Sequence, residues 1–196
     1  AFAAAADRFR DRPAVEMFSR TGLDTYRYGD VSAMAGRAAR YLASQGVGRG
    51  DRCAILADND VRWCAAYLGT LRLGSVAVPL DTAYKAHQVR TVLDDAGARV
   101  LFTSERYLDI AREATGEIAS APRIVLLSGS RDGLSSLDDQ VAGSALLPDA
   151  CPATQDDPAV TLYTSGTTSD PKGVVLTHGN LLAEKTAAIN VVTITE

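Results

Sequence analysis

Between Tyr163 and Asn180 the chain concentrates groups that hold anions: Tyr163-Thr164-Ser165-Gly166-Thr167-Thr168-Ser169-Asp170-Pro171-Lys172-Gly173-Val174-Val175-Leu176-Thr177-His178-Gly179-Asn180. Hydroxyls at Thr164, Ser165, Thr167 and Thr168 can donate to phosphate oxygens. Gly166 and Gly173 let backbone amides approach a ligand closely, and Lys172 adds a positive charge. Ahead of the run, Ala159-Val160-Thr161-Leu162-Tyr163 has the β-branched and aromatic content of a short buried strand. The hydroxyl-rich residues therefore begin where a strand ends, and the whole run is predicted to be a loop.

The order of groups excludes a Walker-type phosphate loop, in which glycine, lysine and a hydroxyl residue follow one another: here Lys172 precedes Gly173 and no Ser or Thr comes next. The run instead resembles the signature loop of the adenylate-forming superfamily, which includes acyl-CoA synthetases, luciferase and the adenylation domains of peptide synthetases. The family pattern is Tyr-Thr-Ser-Gly-Thr-Thr-Gly-x-Pro-Lys-Gly-Val followed closely by Thr-His, and one fixed position differs, Ser169 standing where glycine is usual. A solvated linker can also be rich in Ser, Thr and Gly, but it has no reason to keep a dozen residues in this order.

The resemblance implies two half-reactions. A carboxylate attacks the α-phosphate of ATP, giving acyl-adenylate and pyrophosphate, and a thiol, commonly that of coenzyme A, then takes the acyl group. Charge on the departing phosphates has to be held and neutralised. By the same resemblance Ser165, Thr167, Thr168 and the backbone of Gly166 and Gly173 bind those phosphates. Lys172 is the candidate catalytic residue, and Thr164 both a phosphate ligand and a candidate ligand of Mg²⁺. Tyr163 reads as a packed aromatic closing its strand, with a ligand contact as the alternative. His178 reads as a capping or packing residue at a helix start, with a catalytic role as the alternative. Asp81, Asp94 and Asp95 read as turn or helix-end carboxylates that form no acid/base pair, and Asp58-Asn59-Asp60 as a helix cap.

The elements that must position this loop are legible upstream. Ala1 to Arg10 has helical spacing; Ala14–Ser19 and Thr25–Tyr28 flank a turn-prone interval and predict a hairpin; Asp30 is the expected N-cap of a helix that Gly46 stops. From residue 51 apolar strands at 53–57, 75–79, 99–103 and 123–127 alternate with amphipathic helices. That alternation predicts an α/β fold with a mostly parallel sheet flanked by helices. A short helix is expected near Leu134 to Val141, and a helix from about Asn180 to Val191. The domain reading is an α/β subdomain over 1–142, a proline-rich connection between sheets over 143–158, and the start of a second α/β subdomain over 159–196. Along this stretch Gly50-Asp51-Arg52, Asn59, Trp63, Leu68-Gly69, Pro79-Leu80-Asp81 and Asp95-Ala96-Gly97 resemble, in order, the N-terminal region of bacterial acyl-CoA synthetases. The Asn59 to Trp63 interval and Pro79-Leu80-Asp81 are most similar to long-chain fatty acyl-CoA synthetases.

At 196 residues the chain can bury roughly 70% of its unfolded surface, enough for a core without staples. Its hydrophobic fraction of 46% against 22% charged residues excludes a disordered chain, and no apolar run approaches the ~20 residues of a membrane span. A net charge of −4 argues against nucleic acid as a partner, so an anion must be held locally. Three widely spaced cysteines, Cys53, Cys64 and Cys151, fit reduced thiols in a cytoplasmic protein. The resemblance also implies downstream motifs for Mg²⁺, adenine and ribose, a hinge and a C-terminal domain, none of which occurs in these residues. The chain is accordingly read as an N-terminal piece of a longer ligase, inactive alone, whose uncovered sheet edge invites self-association. A peptide-synthetase adenylation domain and a non-catalytic nucleotide-binding or scaffold module are the alternatives.

Were the Ser169 position to need a left-handed backbone, serine would cost roughly 1 to 2 kcal/mol there. Ser169→Gly is then expected to leave adenylation in the complete enzyme unchanged or slightly faster. A strong loss in the same kinetic assay would show that the serine side chain makes a contact of its own.

Overall fold

A computed structural model describes residues 2–19, 22–137, 153–164 and 172–191. After helix α1 (Phe2–Arg8) comes an antiparallel hairpin, β1 (Pro13–Ser19) with β2 (Gly22–Arg27), and then α2 (Tyr28–Ser44). Tyr28, expected to end a strand, instead opens the helix. Asp30 accordingly sits one turn inside, where its Oδ2 accepts from the backbone N–H of Arg27 at 2.9 Å. It satisfies the helix start from the third helical position, and Arg27 is the N-cap.

The parallel alternation then follows: β3 (Arg52–Leu56), α3 (Val61–Arg72), β4 (Val76–Pro79), α4 (Ala86–Ala96), β5 (Val100–Thr103), α5 (Leu108–Thr115) and β6 (Arg123–Leu126). Asp60 caps α3 by accepting from the N–H of Trp63 at 2.7 Å, and Gly97 closes α4 in the left-handed region with φ 56°. Where a helix was expected from Leu134, a small ribbon forms instead, β7 (Ser130–Arg131) pairing with β8 (Leu134–Ser135). Ser136 then bridges to Leu126, a helix starts at Leu137, and the rest of the expected helix lies outside the described residues.

Two further strands, β9 (Pro158–Thr164) and β10 (Lys172–Thr177), lead into α6 (His178–Val191). The strand order is β10-β9-β4-β3-β5-β6, so β9 continues the existing sheet through Ala77 opposite Val160 instead of opening a separate one. All neighbours in this sheet are parallel except β9 and β10.

Alternate residues of the central strands feed two cores. Cys53, Ile55, Val100 and Phe102 pack with Ala38, Leu42 and Ala66 of α2 and α3 on one face; Ala54, Leu56, Val78 and Leu101 pack with Val89, Leu93 and Ala111 of α4 and α5 on the other. Burial on both faces is why these strands read as continuous apolar runs. Helices α2 and α3 approach closely at Gly69, where an added Cβ would lie 2.6 Å from the Ala38 Cβ and 2.8 Å from the Ala35 carbonyl oxygen. Gly69→Val should therefore destabilise the chain by about 1 to 3 kcal/mol in thermal or urea unfolding. Gly48→Ala, where an added Cβ meets nothing within 4 Å, is the near-neutral control.

Candidate functional site

Val160-Thr161-Leu162-Tyr163 and Val174-Val175-Leu176 are rich in residues that favour a pleated surface, and they pair antiparallel. The register sets Lys172 opposite Thr164, Gly173 opposite Tyr163, Val174 opposite Leu162 and Val175 opposite Thr161. Lys172 to Thr177, expected to be part of a loop, is thus a strand; the glycine and the Pro-Lys-Gly sequence hid a run that is β-branched from Val174 onward. The connection narrows to residues 165–171. Of the predicted phosphate ligands, Thr164, Lys172 and Gly173 flank this connection, and Ser165, Gly166, Thr167 and Thr168, with Ser169, lie outside the described residues.

Directly opposed residues in such a pair have Cβ atoms about 4.5 to 5.5 Å apart on one face. A hydroxyl and an ammonium therefore stand side by side at the hairpin mouth, both exposed. Among the described residues no carboxylate pairs with Lys172. No group of three or more His, Cys, Asp or Glu side chains that could hold a metal occurs among the described residues. Thr164 offers one hard oxygen, which suits Mg²⁺ only where phosphate and water oxygens complete its shell.

One residue earlier, Tyr163 leans its ring on the α4 and α5 core, and its hydroxyl donates to Asp95 Oδ2 at 2.5 Å. Burial first, and then the Asp95 carboxylate, push the phenol well above its usual range, so it stays protonated. Sequence reasoning treated Asp95 as an ordinary helix-end carboxylate. Its partner is 68 positions away, and no local pattern announces the contact.

The foot of the hairpin is fixed separately. Both carboxylate oxygens of Asp157 accept from a single guanidinium nitrogen, Arg49 Nη2, at 2.7 and 2.8 Å, and Oδ2 also accepts from the N–H and hydroxyl of Thr154. These donors, Arg49 foremost, lower the carboxyl to about 2. The N–H of His178 donates to the Asp157 carbonyl and that of Gly179 to the Gln155 carbonyl, while Thr177 and Asn180 exchange side-chain and backbone hydrogen bonds at the start of α6. His178 is partly buried, and burial lowers its pKa. Its Nε2 is buried without a hydrogen-bond partner among the described residues. These surroundings match the packing reading and supply no partner to orient the ring for proton transfer.

At the end of the sheet where β9 reaches Thr164, a cavity of about 340 Å³ opens at the C-terminal ends of β3 and β4, lined by Asp58, Asn59, Trp63, Pro79, Leu80 and Asp81 among others. Helices α3 and α4 leave these two strands toward opposite faces, which is how an α/β sheet makes a crevice.

Comparison with known proteins gives these features a context. The family described as "AMP-binding enzyme" matches residues 2–195. The chain is 35% identical over 177 residues to a 3-hydroxybenzoate–CoA ligase of Aromatoleum sp. (strain CIB), covering 90% of this chain and 33% of that protein. It is 34% identical over 160 residues to the long-chain-fatty-acid–CoA ligase FadD13 of Mycobacterium tuberculosis, covering 77% and 29%, and 34% identical over 182 residues to surfactin synthase subunit 2 of Bacillus subtilis, covering 92% and 5%. The chain therefore spans about a third or less of the length of these relatives. In fold it is similar to the anthranilate CoA ligase AuaEII, solved in complex with anthranoyl-AMP, with a TM-score of 0.86 at 24% identity over 96% of this chain and 36% of that one.

The Arg49–Asp157 pair carries a testable pH dependence. A carboxyl lowered to about 2 in the folded chain contributes its stability in full above the unfolded value of about 3.9, and loses it as pH falls through about 2. Arg49→Ala should lower Tm modestly near neutral pH, and the gap to the unsubstituted chain should close between about pH 4 and 2. A gap that is constant over that range would show that Arg49 acts through packing.

Proposed function

This chain belongs to the AMP-binding enzyme family, and from that premise we propose that it is the N-terminal, ATP-binding part of an acid–thiol ligase, an acyl-CoA synthetase that forms acyl-AMP from a carboxylic acid and ATP and then an acyl thioester of coenzyme A. The observation that carries the reading is the register that sets Thr164 beside Lys172 at the two ends of a hydroxyl-rich connection. In this reading Lys172 neutralises charge on the departing phosphates, and Ser165, Thr167, Thr168 and the backbone at Gly166 and Gly173 bind them. Thr164 adds a hydroxyl to the phosphates or one oxygen to Mg²⁺, whose contribution when bound is to balance phosphate charge.

A fatty acid is the proposed substrate. The Asn59 to Trp63 interval, Pro79-Leu80-Asp81 and the likeness to FadD13 support it. The likeness to a 3-hydroxybenzoate ligase makes aromatic acids the necessary comparison. The second reading, an adenylation domain of a peptide synthetase, draws on the 34% identity with the surfactin synthase subunit. A cytoplasmic setting belongs to the same proposal, supported by the free thiols of Cys53 and Cys64; among the described residues no helix is long and apolar enough to cross a membrane. Uncovered Val174 and Val175 on β10, 47% and 54% exposed, support self-association of the 196-residue chain when isolated.

Pyrophosphate exchange with a panel of fatty, aryl and amino acids tests the proposal, run on the complete enzyme and on the 196-residue chain side by side. Exchange by the complete enzyme with fatty acids, and none by the chain alone, is the expected result. Exchange confined to aryl or amino acids would replace the substrate, and exchange by the chain alone would refute its inactivity. With no acid active, the non-catalytic module takes its place.

A further inference from the structure

A glycine, a tyrosine and an aspartate from three different elements meet just behind the hairpin mouth. Gly173 lies directly across from Tyr163. A Cβ at Gly173 would stand 3.1 Å from Tyr163 Cζ, 3.3 Å from its Cε1 and 3.0 Å from Thr161 Cγ2. The ring of Tyr163 therefore covers the position where residue 173 would carry a side chain. At its far end the ring is held by the hydrogen bond from the Tyr163 hydroxyl to Asp95 Oδ2 on α4.

We propose that Tyr163, Gly173 and Asp95 form a clamp that ties the mouth of the β9–β10 hairpin to α4, making Tyr163 and Asp95 positioning residues for Thr164 and Lys172. The proposal rests on the reading of this hairpin as the phosphate site. Three observations join in it. Among the described residues the hairpin is the edge of the sheet, and β10 has a strand neighbour on one side only. Val174 and Val175 are exposed, so packing on β10 does little to fix its path. Tyr163 is adjacent to Thr164, and Gly173 to Lys172, so the ring that bridges Tyr163 and Gly173 acts one residue away from both polar groups. An edge hairpin without such an anchor would let Lys172 drift relative to the sheet by the ångström that weakens charge stabilisation.

The geometry also makes position 173 a tight place for a side chain even though its φ lies outside the left-handed region: a Cβ there would press on the Tyr163 ring and Thr161 Cγ2 by a few tenths of an ångström, and the backbone angle adds no constraint. Asp95 has no part in the phosphate chemistry; it acts through Tyr163.

Two measurements test the clamp with Tyr163→Phe, Asp95→Ala and Asp95→Asn. The first is amide hydrogen exchange over residues 172–177 in the complete enzyme, with residues 53–56 of β3 as the internal reference. Tyr163→Phe and Asp95→Ala should speed exchange about tenfold or more over 172–177 and leave β3 unchanged; Asp95→Asn, whose amide oxygen can still accept, should stay within about threefold of the unsubstituted chain. The second is pyrophosphate exchange in the complete enzyme, where the first two variants should raise KM for ATP about tenfold with kcat within about twofold, and Asp95→Asn should recover most of the loss. Unaltered exchange over 172–177, faster exchange everywhere with a matching fall in Tm, an unmoved KM, or Asp95→Asn as damaging as Asp95→Ala would each overturn the clamp. An unsubstituted enzyme inactive with every acid would instead defeat the proposed function, and hydrogen exchange would then decide the clamp alone.

Discussion

Backbone pairing from Lys172 opposite Thr164 down to Leu176 opposite Val160 decides which side chains of β9 and β10 share a face. Because the side-chain period of a strand is two, a slip of one residue would turn Lys172 away from Thr164 and bring a bulky residue under the ring of Tyr163. The register thus does two jobs at once. It collects a hydroxyl and an ammonium on one face of the hairpin mouth, and on the other face it matches the one residue without a side chain to the one large aromatic. Both ends of the hairpin are tethered to the rest of the fold by groups distant in sequence, Asp95 near the mouth and Arg49 near the foot.

These tethers compensate for an edge position. The central strands β3, β4 and β5 are covered on both faces by helices, and their residues are almost wholly buried. Toward β10 that cover runs out, with Leu162 40% exposed and Val174 and Val175 more so. Side-chain hydrogen bonds at the Tyr163 and Asp157 ends take over a role that hydrophobic packing has at the centre of the sheet. Such bonds are directional, so they can fix the aim of a hairpin where general apolar contact would not.

Periodicity made most of the fold readable, because a strand buried on both faces and a helix buried on one have distinct patterns; β3 to β6 with α3 and α4 follow Cys53-Ala54-Ile55-Leu56, Val76-Ala77-Val78 and their amphipathic partners closely. Departures arose where local chemistry has two uses. Asp30 can accept from a backbone amide as an N-cap or from inside the first turn, and only the structure distinguishes the two. A short helix is expected near Leu134, but the turn at Asp132-Gly133 brings Leu134 and Ser135 back against Ser130 and Arg131, and helix starts only at Leu137. Gly173 suggested loop because glycine disfavours strands, whereas here it sits in a strand and leaves room for the Tyr163 ring across from it. The candidate site was legible as an ordered motif because Thr164, Lys172 and Gly173 fall within one short stretch of chain. Asp95 and Arg49 were not, because a hydrogen bond spanning 68 or 108 positions leaves no trace in local order.

Lys172 is exposed at the hairpin mouth, where we propose that it serves phosphate and not the stability of the fold. Kinetics and stability of Lys172→Ala in the complete enzyme, measured on the same preparation, separate the two. With Lys172 serving phosphate, kcat/KM for adenylation should fall about a hundredfold or more while Tm moves by no more than about 2 °C. A large fall in Tm with adenylation kinetics unchanged would contradict it.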